Sequence, residues 1–231
     1  MHPLSEPELL ALLDRGSTLH PIDRTLLLYG RLVESGDDQA ADLPIGQVNV
    51  GLIRFYRRAI AHAITAHSSC TCGETMVTEI ALDPILERAP AEPGVREGAA
   101  DGIRFRLPTH RDLAGVAPLP NPDQRVTALL ERCCFSQDDP GRAGLLQGIE
   151  AAMEQLDPLA DIEVAITCGA CSAVSTLCLD IGALIWDRLA GTGRALIGEV
   201  HRLAGAYGWS ESEILALGSE RRAAYLEWIV A

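Results

Sequence analysis

Cys70-Thr71-Cys72-Gly73 and Cys168-Gly169-Ala170-Cys171 are the two stretches of sequence that decide how this chain folds. Each lies between segments that are typical of β-strands. In residues 162–167 apolar and polar side chains alternate, which is the period expected of a half-buried strand, and residues 174–179 continue beyond the cysteines. Residues 74–82 follow the first stretch in the same way. A strand, a tight cysteine turn and a second strand form a zinc knuckle, so the sequence predicts two knuckle hairpins.

Two knuckles that face each other would supply four thiolates to one ion, the closed tetrahedral arrangement of a structural zinc site. The predicted ligands are Cys70, Cys72, Cys168 and Cys171, and the predicted cofactor is a structural Zn²⁺. The C-x2-C spacing of the second stretch is standard for zinc ligands, whereas the C-x-C spacing of the first is tighter and less usual. The alternative is four reduced, partly buried thiols, because free cysteine packs as a small hydrophobic residue.

A catalytic zinc ion would need an open coordination position and usually a histidine among its ligands. His67 stands near Cys70, and Glu74 follows the first cysteine stretch, so a zinc-dependent enzyme is one alternative. A surface position is the simpler interpretation of His67. The chain lacks H-E-x-x-H, H-x-E combined with P-C-x-x-C, G-x-S-x-G and a phosphate loop. We therefore expect no enzymatic activity and predict no catalytic residue.

The composition restricts the classes of partner. The formal net charge is −13, and an acidic chain is repelled by phosphate backbones, so we expect no nucleic-acid partner and disfavour a nucleic-acid-binding zinc ribbon. No run of 18 apolar residues occurs, and the N-terminus does not resemble a signal peptide, so we expect no membrane insertion. The odd number of cysteines, 7, fits a reducing cytoplasm better than a secreted disulfide framework.

Helical periodicity and capping signals on both sides of the hairpins predict an α+β fold, a mostly helical bundle with a small antiparallel zinc-ribbon-like element. The predicted capping boxes are Ser5 with Glu8, Thr109 with Asp112 and Ser210 with Glu213. The third predicted helix covers residues 45–65, and residues 21–35 and 45–65 are expected to pack against residues 181–207. The predicted organisation is a single domain of residues 1–231, with helical segments over 1–66, 109–157 and 180–231, a split ribbon of 67–83 plus 161–179, and a loop over 84–101.

Two further segments are candidates for partner binding. Arg54, Arg57 and Arg58 form a basic run on the third predicted helix, although a solvated helix face is the simpler interpretation. The segment Tyr207-Gly208-Trp209-Ser210-Glu211 is either a helix junction, with Gly208 ending one helix and Ser210 capping the next, or a binding hot spot. The capping signals favour the helix junction.

Several segments resemble the baseplate hub and hub-assembly proteins of contractile-tailed phages and of phage-tail-like contractile injection particles. The matching segments are Leu107-Pro108-Thr109-His110-Arg111-Asp112-Leu113, Leu156-Asp157-Pro158-Leu159-Ala160-Asp161-Ile162, Ile166-Thr167-Cys168-Gly169-Ala170-Cys171, Leu179-Asp180-Ile181, Leu184-Ile185-Trp186, Glu199-Val200-His201 and Ala206-Tyr207-Gly208-Trp209-Ser210-Glu211. The resemblance covers nearly the whole chain in the family's order, and it is weakest over residues 84–101.

The resemblance implies a structural or assembly protein of the baseplate hub, with other baseplate or hub proteins as partners. It implies assembly in the cytoplasm, either as a component that stays in the finished particle or as an assembly factor that leaves. Members of this family commonly carry C-P-x-C-G at both knuckles. Here Ser69 stands where the leading cysteine would be, and the second knuckle has Gly169 for the proline and Ser172 for the glycine. The alternative is a zinc-ribbon adaptor protein unrelated to tails.

Overall fold

The chain has an α+β fold, as predicted, and a computed structural model describes residues 4–33, 37–90, 94, 96–135 and 142–230. The helices are α1 (Glu6–Gly16), α2 (Pro21–Val33), α3 (Asp37–Ala41), α4 (Ile45–Ala59), α5 (Leu82–Glu87), α6 (His110–Val116), α7 (Pro122–Cys133), α8 (Arg142–Leu156), α9 (Ile181–Tyr207), α10 (Glu211–Leu215) and α11 (Ser219–Val230). The strands are β1 (Ala63–Ser69), β2 (Thr75–Ala81), β3 (Glu97–Ala100), β4 (Ile103–Arg106), β5 (Glu163–Thr167) and β6 (Val174–Cys178).

The described residues fall into two compact units. Unit 1 comprises residues 21–184, and unit 2 comprises residues 4–20 together with residues 185–230. The predicted single domain of residues 1–231 stays a prediction, because a division into compact units does not say whether the units unfold together. In the described ranges, no helix combines the length and the apolar character that a membrane span requires.

Three separate antiparallel hairpins form the strands of unit 1. β1 pairs with β2, β3 with β4, and β5 with β6. The predicted pairing of the two segments around Cys168 and Cys171 is present, with Thr167 opposite Val174 at the tip. The first cysteine hairpin closes in the same way, with Ser69 opposite Thr75.

Two boundaries of the sequence prediction were wrong. The third helix ends at Ala59 and not at residue 65. Strand β1 begins at Ala63, so residues 63–66 belong to the first hairpin instead of to a helical segment over residues 1–66. Ile64 and Ala66 are buried while Thr65 and His67 are exposed, so this segment has the two-residue period of a strand. Ile60 and Ile64 also stand four residues apart, and that spacing fits a helix equally well.

The predicted loop over residues 84–101 contains helix α5 and strand β3. Leu82 and Ile85 are buried on one side of α5, and Pro84 lies in its first turn, where a missing N–H costs nothing. In β3, a Cβ atom added to Gly98 would come 2.7 Å from the Phe105 ring, so the glycine lets the ring of the paired strand approach the backbone. Proline and glycine are common in loops, but Pro84 and Gly98 lie inside a helix and a strand here.

One core of unit 1 consists of the packed faces of α4 and α2. Val48, Leu52 and Ile53 of α4 are fully buried, as are Leu28 and Leu32 of α2. The first turn of α9 packs onto α2 within this unit, because a Cβ atom added to Gly182 would come 2.0 Å from Thr25 Oγ1. The expected contact of residues 21–35 with residues 181–207 is therefore present at the first turn of α9, whereas the expected contact of residues 45–65 with residues 181–207 stays a prediction.

A buried ion pair fixes α6 against β4. Asp112 is 3 % exposed and accepts hydrogen bonds from Arg106 Nη1 at 2.5 Å and from Nη2 at 2.7 Å. It also accepts from the backbone N–H of Thr109 at 3.0 Å, which completes the capping box that the sequence predicted. Burial alone would raise the pKa of Asp112, but the bonds from Arg106 and Thr109 outweigh burial and lower the pKa to about 2.

In unit 2 a second buried charge joins three helices. Arg222 is 2 % exposed, and it donates to Glu6 of α1 and to Glu199 of α9 at 3.0 Å. Trp209 stacks on Tyr207 with ring centroids 4.7 Å apart, and it meets Tyr225 edge-on at 4.9 Å. Gly208 has φ +71°, and Ser210 with Glu213 forms a capping box, so this segment is a helix junction.

Replacing Asp112 with asparagine is expected to lower the free energy of unfolding by about 3 kcal/mol at pH 7, because Arg106 loses the charge that compensates its partial burial. The pKa of Asp112 is about 2 in the fold and 3.8 ordinarily. About 2 kcal/mol of stability is therefore present above pH 4 and lost as the pH falls through 3.8 towards 2. Urea unfolding at several pH values measures both effects.

The control for this prediction is Asp42→Asn, because Asp42 pairs with Arg111 at 2.7 Å but both side chains are more than half exposed. It should change stability by less than about 1 kcal/mol. If the Asp112→Asn variant and the wild type lose stability in parallel between pH 4 and pH 2, the ion pair does not have the role assigned to it.

Candidate metal centre

The first cysteine hairpin turns tightly at its tip. The N–H of Gly73 donates to the carbonyl oxygen of Cys70 at 2.9 Å, and the N–H of Cys70 donates to that of Glu74 at 2.8 Å. Gly73 has φ +91°, a conformation in which a Cβ atom would be strained. The glycine after the cysteine pair thus reverses the chain, so that Cys70 and Cys72 both lie at the end of the hairpin.

The second hairpin has a turn that is one residue longer. The N–H of Ser172 donates to the carbonyl oxygen of Cys168 at 2.9 Å, and the N–H of Cys168 donates to that of Ala173 at 2.9 Å. Ser172 has φ +59°, the left-handed conformation that favours glycine. The resemblance implies glycine at this position. Serine in its place keeps the turn but adds the energetic cost of a Cβ atom in the left-handed conformation.

The two tips bring four sulfur atoms together. The Sγ atoms of Cys70, Cys72, Cys168 and Cys171 all lie within 4.8 Å of one another. Between the hairpins, Cys70 Sγ and Cys171 Sγ are 3.6 Å apart, and Cys72 Sγ and Cys168 Sγ are 3.8 Å apart. These distances are much longer than a disulfide bond of about 2.05 Å. Four sulfurs at roughly 2.3 Å from a central ion form a tetrahedron with edges of about 3.8 Å, so the residues fit a metal ion.

Backbone amides at both tips point towards sulfur. The N–H of Cys72 and the neighbouring thiols lower the pKa of Cys70 to about 6. The N–H of Ala173 acts in the same direction on Cys171, but hydrogen bonding among the thiols outweighs it and raises the pKa of Cys171 to about 12. Four negative sulfurs this close repel one another, and a bound cation is the charge that lets all four ionise.

The centre has a buried side and an open side. Cys168 is 1 % exposed and Cys70 is 9 % exposed, and both pack with Met76 of β2 and Ile166 of β5 in one apolar cluster. Cys72 and Cys171 are exposed. The apolar cluster holds the hairpins together on the buried side of the sulfurs. On the other side, the exposed thiols of Cys72 and Cys171 leave a path by which an ion can reach the sulfurs.

The alternative ligands do not join this group. Among the described residues, the set of side chains that could hold an ion contains the four cysteines and neither His67 nor Glu74. His67 lies in β1 opposite Val77. Of the basic run on α4, Arg57 forms an ion pair with Asp83 at 2.8 Å, and Arg54, Arg57 and Arg58 are exposed.

Sequence reasoning did not find two features of the centre. The left-handed conformation of Ser172 has no sequence signal apart from its position one residue after Cys171. The contact between Met76 and Ile166 joins two segments far apart in the chain. Burial of alternate residues in β2 and β5 was the available signal, but it does not say which strands meet.

Comparison with known proteins adds no assignment, because no family model, no curated protein and no solved structure gives a significant match.

Elemental analysis of the purified protein is expected to find about one metal ion per chain, because four thiolates form one site. Replacing Cys168 with serine should remove the ion and lower the melting temperature, since the remaining thiols no longer surround it. Cys178→Ser is the matched control, because Cys178 is an exposed thiol outside the group of four. A Cys168→Ser variant with wild-type metal content and melting temperature would contradict the site.

The Ser172→Gly variant is expected to be more stable than the wild type by about 0.5–1 kcal/mol, because glycine adopts the left-handed conformation without a Cβ penalty. Chemical unfolding of both proteins with metal bound measures the difference. Ala170→Gly, at the same tip but without a positive φ, is the control and should not stabilise. Equal destabilisation by the two substitutions would show that the turn does not have the described conformation.

Proposed function

We propose that the four-cysteine cluster binds one structural Zn²⁺, and that the protein is a non-enzymatic structural or assembly component of the hub region of a contractile phage-type baseplate. Its partners would then be other baseplate or hub proteins, and its place of assembly the cytoplasm. The observation that carries the proposal is that four sulfur atoms meet at the tips of two hairpins. The second of these tips lies in Ile166–Cys171, one of the segments by which the chain resembles this family.

Zinc is the ion that these ligands favour. A set of four thiolates selects Zn²⁺ or iron–sulfur chemistry among the common ions, and a single tetrahedral S₄ site suits zinc. All four ligand positions are filled by protein atoms, which is the arrangement of structural sites. The ion would join two hairpins whose cysteines are separated by 96 residues from Cys72 to Cys168. A cross-link that closes so long a loop strongly reduces the conformational entropy of the unfolded chain.

Other segments of the resemblance also have a structural role in the molecule. Thr109 and Asp112 form a capping box with a buried ion pair, and Ser210 with Glu213 forms another beside the stacked aromatic rings. Asp157 is buried and accepts a hydrogen bond from the N–H of Gly46 at 2.9 Å. These contacts support the assignment of the matching segments to packing and to scaffolding.

The test of this function is deletion of the gene in the organism that encodes the chain, followed by electron microscopy of contractile particles. We expect assembled tails to be lost and to return with the wild-type gene and with Cys178→Ser. Cys168→Ser should restore fewer particles than these, because it weakens the zinc-held hairpins. Normal numbers of functional particles without the gene would refute the baseplate role.

Mass spectrometry of purified particles separates the two versions of the proposal. A component that stays in the particle gives peptides of this chain at a constant ratio to the hub proteins. An assembly factor is present in cell extracts with hub proteins bound and is missing from finished particles. Either result is compatible with a hub role, but a chain that co-purifies with no baseplate protein at either stage is not.

A further inference from the structure

We propose that the groove between α7 and α8 in unit 1, the acidic groove, is a docking site for a basic amphipathic helix of a partner protein. The acidic groove has a volume of about 640 Å³ and an apolar floor that includes Val126, Leu129 and Met153. Its rim carries the carboxylates of Glu150, Glu154 and Asp161. This site is separate from the cysteine cluster and needs neither the metal ion nor membership of a tail particle.

The floor of the groove leaves apolar surface in water. Val126 is 47 % exposed, and Leu129 beside it is half-buried, although both lie on a helix whose inner face packs into a core cluster. Met153, on the facing helix, is buried and has a flexible side chain that adapts to different partners. A partner that covers these side chains would remove apolar surface from water, which favours binding.

The rim places negative charges where they repel one another. Glu150 and Glu154 are four residues apart on α8, and like charges at that spacing destabilise a helix by about 0.2–0.5 kcal/mol. Glu154 also lies in the last turn, where the helix dipole is negative, and that turn contains no basic residue. A cationic side chain bound at this rim would relieve both unfavourable interactions.

The cations of unit 1 do not neutralise this rim. No ion pair between described residues involves Glu150, Glu154 or Asp161. Arg88 lies in the lining with one positive charge, and its Nη2 donates to the carbonyl oxygen of Pro158 at 3.1 Å. The three carboxylates of Glu150, Glu154 and Asp161 outnumber this cation, so the rim keeps a net negative charge for a partner.

These features define the chemistry of the occupant. An amphipathic helix presents apolar residues to the floor and, one turn apart, the arginines or lysines that match the spacing of Glu150 and Glu154. Anionic partners are repelled by the rim. Only Glu163, the first residue of β5, belongs to a strand among the lining residues, so a β-strand partner would find little strand backbone to pair with there.

The probe is a fluorescein-labelled peptide of about 18 leucine and lysine residues, five helical turns, with all leucines on one face. A peptide of the same composition in scrambled order carries the same charge without an apolar face. By fluorescence anisotropy we expect the amphipathic peptide to bind at least about tenfold more tightly than the scrambled one. Hydrogen exchange should show protection of residues 122–133 and 146–156.

Two variants test the rim and the floor separately. The double variant Glu150→Gln/Glu154→Gln should weaken binding about tenfold and reduce its dependence on salt, whereas Val126→Ser should weaken binding at every salt concentration. The double variant removes a repulsion, so it is expected to melt no lower than the wild type. The matched control is Glu220→Gln/Glu227→Gln on α11 of unit 2, which removes the same charge from exposed positions.

Equal binding of the two peptides would show nonspecific attraction to an acidic protein and would overturn the proposal. Equal loss of affinity in the rim variant and in the α11 control would overturn it as well. Protection from exchange on another surface, with none on α7 and α8, would place the peptide elsewhere and refute this site.

Discussion

Four cysteine sulfur atoms lie so close together that they cannot all ionise without a nearby cation, and this constraint governs the chemistry of the two hairpin tips. The sulfurs lie within 4.8 Å of one another and come from turns separated by most of unit 1 in sequence. Amides at each tip favour thiolates, while the closeness of the thiols opposes their joint ionisation. The proposed metal ion would resolve this conflict, and it would also cross-link the two tips.

Apolar packing between the two cysteine hairpins brings their tips together. Met76 and Ile166 pack together on the buried side of the sulfurs and so join the two hairpins. The buried faces of α2 and α4 form another core within unit 1. The ion pair of Asp112 with Arg106 fixes α6 on β4 at a separate point. The sulfurs are therefore positioned by apolar packing on their buried side, and the proposed metal ion would add a cross-link between the hairpins.

Local chemistry was predictable from the sequence where neighbouring residues determine it. The β5–β6 hairpin and the capping boxes at Ser5, Thr109 and Ser210 depend on residues a few positions apart, and all are present. The period of residues 60–66 was ambiguous, since Ile60 and Ile64 fit a helix while Ile64 and Ala66 fit a strand, and the tertiary packing selects the strand. For the same reason Asp157 and Arg222, charged residues that are typical of a surface, could not be predicted as buried. The four cysteines that meet in the cluster were predicted from their spacing, whereas the contact of Met76 with Ile166 and the conformation of Ser172 required the fold.

The most direct test of the central claim is X-ray absorption spectroscopy at the zinc edge on the protein purified under reducing conditions. The account predicts a single shell of four sulfur atoms at roughly 2.3 Å, with no nitrogen or oxygen ligand. A shell in which nitrogen or oxygen replaces sulfur, or a protein without zinc, would contradict the claim that Cys70, Cys72, Cys168 and Cys171 together hold one structural ion.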